Sequence, residues 1–138
     1  MPILILINTG IFLFLSLLHF HWAFGGRWSW GAAVPSKPDG KLLFNPGMTS
    51  SLVVAFGLLL FAFIMLGNSG LWDGVVARRY FQYGGWVISA IFLLRAIGDF
   101  RFIGFTKRVK GTPFAINDTR MYSPLCLIIS GISIAVSF

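Results

Sequence analysis

Residues 3–24, ILILINTGIFLFLSLLHFHWAF, run for 22 positions without one Asp, Glu, Lys or Arg. A helix rises about 1.5 Å per residue and the hydrocarbon core of a bilayer is about 30 Å thick, so a run of this length spans it once. Residues 48–67 repeat the pattern, again free of charge, and residues 81–98 and 121–138 form two further apolar runs. A soluble chain of 138 residues has too little mass to hide four such segments. The expected fold is all-α: a polytopic membrane protein, a single four-transmembrane-helix bundle over 1–138 with spans at about 3–24, 48–67, 81–98 and 121–138. Met1 to Phe24 lacks a basic n-region and its apolar run is too long for a signal peptide, so it reads as a retained first helix.

Composition agrees: 57% of residues are hydrophobic, 17% aromatic and 11% charged, and all four acidic residues are Asp. The excess of positive charge lies between the apolar runs. Arg27, Lys37 and Lys41 fall in the first connection, Arg78 and Arg79 in the second, and Arg101, Lys107, Arg108, Lys110 and Arg120 in the third. Charges placed this way mark topology and meet the lipid bilayer's headgroups, and no nucleic acid partner is expected. The positive-inside bias puts the first and third connections in the cytoplasm and both termini outside. Trp22, Trp28 and Trp30 near one face, with Trp72, Tyr80 and Tyr83 near the other, read as aromatic belts. Cys126 is the only cysteine, which excludes an intramolecular disulfide, a CxxC pair and a cysteine-rich zinc site. The first connection, with turn signals at Pro35, Pro38 to Gly40 and Pro46 to Gly47, is long enough to be a lid or binding loop.

Helical phase sorts the polar residues. Asn8, Phe12, Leu15, His19, Trp22 and Gly26 recur at alternating spacings of 4 and 3 and share one seam, while His21 points to the opposite face from His19. The two histidines therefore chelate no common metal, and a bis-His haem within one monomer has no ligands. His19 with Trp22 is either an interhelical hydrogen-bonding pair or one wall of a pocket for a ring-bearing ligand. In the last span Ser123, Cys126, Ser130, Ser133 and Ser137 form a stripe of small side chains, read first as a close-packing seam and second as a hydroxyl-lined path. Pro124 forbids an ordinary helix running through it from Asp118, so the span starts at Ser123 as N-cap or begins with a kink.

The costliest residues are Arg95 and Asp99 in FLLRAIGDFRF. At i and i+4 of one helix they would pair, as a structural clamp or as part of a ligand or proton site. Asp118, Arg120 and Tyr122 enter the last span from the same membrane side, where the first span also ends. His19, Trp22, Arg27, Arg95, Asp99, Asp118, Arg120 and Tyr122 are therefore expected to meet at one mouth, the candidate ligand-binding site; no metal set and no cofactor is named by the sequence.

LLHFHWAFGGRW, LFNPG, RAIGDFRFIGFTKRVKGTPFAINDTR and MYSPLCL together resemble the domain-of-unknown-function 3995 family of small bacterial membrane proteins. The resemblance implies a four-span protein of a bacterial cytoplasmic membrane and brings no activity, substrate or catalytic residue with it. Three function classes remain open. The first is binding or transport of a small amphipathic or anionic molecule, such as a lipid, quinone or organic anion, with Arg95 or Arg120 meeting its polar end; transport through so small a bundle would need a homodimer. The second is a membrane-embedded enzyme on a lipid or isoprenoid, with His19 as acid or base and Asp99 or Asp118 orienting it. The third is a structural or assembly subunit beside a membrane-protein partner.

Overall fold

A computed structural model describes residues 2–28, 30–43, 45 and 47–138; Pro46, half of the expected Pro46 to Gly47 turn, lies outside them. Helices α1 (Pro2–Ala23), α3 (Met48–Gly67) and α4 (Arg78–Ile97) follow the apolar runs to within three residues at each end, with a one-turn helix α2 (Trp30–Ala33) in the first connection. The last rod combines α5 (Pro113–Asn117), a π-helical turn (Asp118–Tyr122) and α6 (Ser123–Val136). Among the described residues the only β pairing is an isolated bridge between Ser36 and Leu42, which closes the turn made when Gly40 N–H donates to Lys37 O.

The last helix starts well before residue 121. Thr112 caps it, its hydroxyl accepting the Ala115 N–H at 3.1 Å, and Pro113 takes the first turn, where no N–H is required. Ser123 is thus no N-cap: its backbone is helical (φ −67°, ψ −44°) and its N–H reaches back five residues to Asp118 O. That wider turn is how the chain passes Pro124 without breaking, and it turns the expected kinked start into a π turn.

Side-chain bonds set the packing directions. Asn8 and Ser16 of α1 reach Met65 and Ala55 of α3, so these two helices run antiparallel. Ser89 and Arg95 of α4 reach Ser130 and Asp118 on the last rod, giving a second antiparallel pair. Phe12, Met65, Ile88 and Ile129 are fully buried where the pairs meet, and the rings of Phe12, Phe61 and Phe92 stand 5.6–6.2 Å apart.

Around this apolar core, burial differs from that of a water-soluble bundle. Asn8, Ser16, Ser89, Ser123, Ser130 and Ser133 face inward, whereas Leu6, Leu17, Phe56 and Leu94 are all at least 60% exposed. An apolar surface of this extent suits hydrocarbon. Pro2–Ala23, Met48–Gly67 and Pro113–Val136 are each long and apolar enough to cross a membrane. They fit an integral membrane protein. The fourth rod, α4, is diluted by Gln82, Gly84, Gly85 and Arg95 and is not among the three.

The serine stripe is a packing seam. Ser89 and Ser130 exchange hydroxyl bonds at 2.9 Å, Ser133 accepts from Asn8 at 2.9 Å, and Ser137 donates to Ser133 O at 2.7 Å. A methyl added at Gly85 would stand 1.7 Å from Ser137 Oγ, which measures how closely α4 and α6 approach. With these hydroxyls committed to protein groups, the hydroxyl-lined path expected as the second reading is not formed.

Candidate functional site

The third connection, residues 98–112, crosses itself at two glycines in left-handed conformations. Gly98 (φ +93°) ends α4, and a Cβ there would lie 1.8 Å from Ile103 O; a Cβ at Gly104 (φ +81°) would lie 2.5 Å from Ile97 O. The crossing removes Asp99 from the helix and overturns the expected Arg95 to Asp99 clamp, since i,i+4 neighbours meet only while the helix continues. Asp99 Oδ1 instead accepts the N–H groups of Arg101, Phe102 and Ile103 at 2.8–3.0 Å. Desolvation alone would raise its pKa, but the backbone N–H groups of Arg101, Ile103, Phe102 and Asp99 itself together outweigh that and hold it below the usual carboxylate value.

Arg95 pairs with Asp118. Its Nη2 donates to Asp118 Oδ1 at 2.9 Å, Ser123 Oγ donates to the same oxygen at 3.1 Å, and Oδ2 takes the Gly104 N–H at 2.7 Å and Lys107 Nζ at 3.2 Å. Asp118 is fully buried. Lys107, a loop residue counted above only as a topology charge, is buried too, its ammonium also donating to Gly104 O at 2.9 Å and Thr119 Oγ1 at 2.5 Å. Two cations thus share one carboxylate, leaving one positive charge in excess. The excess falls to Arg95, whose Nη1 is buried without a partner while the side chain as a whole stays 30% exposed.

Arg95 stands in the wall of a cavity of about 410 Å³ between α1 and the last rod. Phe14, Leu15 and Leu18 line one side, Phe114, Met121, Leu125 and Ile129 the other, with Phe92 of α4 beside Arg95. His19, Trp22 and Tyr122 complete its polar end, and Trp28 and Ala33 of the first connection border it. That connection is tied down where it passes: Tyr122 Oη donates to Ala32 O at 3.0 Å and Trp22 Nε1 to Trp28 O at 2.7 Å. A smaller cavity of about 240 Å³, between α1, α3 and the first connection, shares His19, Trp22 and Ala33 with the large one.

Of the eight residues expected at one mouth, His19, Trp22, Arg95 and Tyr122 line the large cavity and Asp118 holds Arg95 from behind. Arg27 stacks on Trp30, its guanidinium carbon 5.1 Å from the ring centroid, at the edge of the smaller cavity. Asp99 and Arg120 do not join: Asp99 closes its own loop, and Arg120 is exposed beyond the cavity lining. Neither aspartate orients His19. Its ring nitrogen Nδ1 bonds Leu15 O at 2.7 Å within α1, and its ring meets Trp22 edge-on at 5.0 Å between centroids. The acid-base pairing expected for an enzyme is therefore not assembled. Among the described residues no group of three or more His, Cys, Asp or Glu is placed to hold a metal ion.

A family model described as "Protein of unknown function (DUF3995)" matches residues 12–133. No curated protein and no solved structure matches the chain.

Proposed function

Since the chain belongs to the DUF3995 family, whose description assigns no activity, function has to be read from the chain's own cavity, and we propose that it binds a small amphipathic molecule with an anionic head. The observation that carries this is Arg95 in the wall of a mostly apolar cavity: Asp118, shared with Lys107, holds its Nη2, while its Nη1 is buried without a partner. A buried guanidinium N–H without an acceptor is costly, and a carboxylate or phosphate seated against it supplies one through charge-assisted hydrogen bonds. The rest of the cavity suits an acyl or prenyl chain, because Phe14, Leu18, Leu125 and Ile129 offer only hydrocarbon contact. Exposed Phe14 and Met121 stand at its edge, so the ligand enters sideways from the bilayer.

In this reading α4 is the fourth crossing, both termini lie outside a bacterial cytoplasmic membrane, and Arg95 and the first connection lie toward the cytoplasm. The antiparallel pairing of α4 with α3 and with the last rod supports the crossing. The test is purification in mild detergent followed by native mass spectrometry and extraction of bound molecules. The expected result is a stoichiometric anionic lipid on the native protein and on Arg27→Gln, and its loss from Arg95→Gln. A native protein that carries no bound molecule overturns the proposal.

A further inference from the structure

Hydrogen-bond accounting within the cavity narrows the head of its ligand, on the premise that the cavity binds an anionic amphiphile as proposed above. The Trp22 N–H and the Tyr122 O–H are both committed to backbone carbonyls of the first connection, so neither is free to donate to a ligand. Among the described lining residues, Arg95 is then the remaining charged donor, beside the indole N–H of Trp28. His19 is the complementary case. Leu15 O can only accept, so Nδ1 carries the proton, and the neutral imidazole presents Nε2 as a bare acceptor. Among the described residues no donor meets Nε2, and His19 lines the same cavity as Arg95, from α1 rather than α4. A head consisting of an anionic oxygen alone would satisfy Arg95 and leave His19 without a donor. We infer that the ligand is a single-chain amphiphile whose head carries both an anionic oxygen, for Arg95, and a hydroxyl, for His19 Nε2. Hydroxylated carboxylates and monoesters of phosphoric acid share this chemistry. Diacyl lipids do not fit, since two chains exceed one 410 Å³ cavity.

The experiment titrates purified protein in mild detergent with four probes of matched chain: palmitate, 2-hydroxypalmitate, palmitoyl lysophosphatidic acid and monopalmitoylglycerol. Binding is read by isothermal titration calorimetry, and from the shift in tryptophan emission as a chain covers Trp22 and Trp28 at the cavity. The expected order puts 2-hydroxypalmitate about tenfold tighter than palmitate, the difference made by one hydrogen bond that would otherwise go unmade. Lysophosphatidic acid should match or exceed the hydroxy acid; the stronger of the two identifies a phosphate or carboxylate source. Monopalmitoylglycerol, which has hydroxyls and no charge, should bind weakest. His19→Phe keeps a ring and removes the acceptor, and should abolish the preference, so that 2-hydroxypalmitate and palmitate bind equally well to the variant. This variant leaves Asp118 and its partners intact, so the test does not depend on whether Arg95→Gln folds. Equal binding of palmitate and 2-hydroxypalmitate, unaffected by His19→Phe, overturns the inference and leaves the anion-binding reading standing. Failure of every anionic probe to bind overturns both.

Discussion

Two aspartates within twenty residues do opposite work, and the difference lies in what surrounds each carboxylate. Asp118 is fully buried between Arg95 and Lys107, so Asp118→Asn leaves Lys107 buried with no counter-charge; the expected loss is about 3–5 kcal/mol, measured as thermal unfolding in detergent. Asp99→Asn touches neither cation and loosens one exposed loop, with an expected cost of about 1 kcal/mol. An Arg95 to Asp99 clamp would predict the reverse ranking. Acid offers a separate reading of Asp99. Its folded pKa is lowered, so its contribution is present above the ordinary value of 3.8 and is lost as pH falls through the lower folded value. Amide exchange at Phe102 and Ile103 should therefore accelerate below about pH 4 while amides in the middle of α4 stay protected. The sequence placed Arg95 and Asp118 on one membrane side but paired Arg95 with the wrong carboxylate. Spacing rules hold inside a helix, and Gly98 ends this one a residue before Asp99. Lys107 was beyond reach for a related reason: the loop that buries it crosses itself, and no periodicity records a crossing.

Among the elements, α4 and α6 meet through small polar residues, Ser89, Ser130 and Ser137 with Gly85, rather than through bulky apolar side chains. Lipid provides no hydrophobic drive to pair helices, so close approach and hydrogen bonds decide the pairing. Ser89 and Ser130 should show a coupling of about 0.6 kcal/mol, and no more than about 1.7, in a double-mutant cycle to Ala read by thermal unfolding. Gly85→Ala should cost more, about 1–3 kcal/mol, because the added methyl meets Ser137 before either helix can move. The stripe was legible in sequence because serines at alternating spacings of 3 and 4 share a helix face whatever they pack against. The π turn was legible only as a contradiction, a proline where an apolar span ought to be starting. Its resolution depended on Thr112 and Pro113, whose capping signal lies among the loop residues that precede the apolar run.

For the whole molecule, the exposed apolar surface fits a bilayer, and orientation and the number of crossings are tested together. Eight basic residues stand in the first and third connections against two in the second, but they do not weigh equally. Lys107 is neutralised inside the protein by Asp118, and Arg78, which would pull the other way, is held at the end of α3 by donating to Asn68 O at 2.6 Å. Leaving Lys107 out still sets seven basic residues against two, so the first and third connections should face the cytoplasm. The weak hydropathy of α4 has a structural reason: Gly84 and Gly85 are required for contact with Ile64 and Ser137, and Arg95 for Asp118, so residues facing protein dilute a helix whose outer face remains apolar at Val87, Ile91 and Leu94. If α3 and the last rod cross, as their length and hydropathy allow, α4 could lie flat in the interface only by giving up its contacts with both. Reporter fusions at Lys37, Gly70 and Lys110 should accordingly read cytoplasmic, external and cytoplasmic. Gly70 and Lys110 on the same side would show that α4 does not cross. A full reversal would keep four crossings and carry the Arg95 cavity to the outer face, where its ligand would have to be drawn from the outer leaflet.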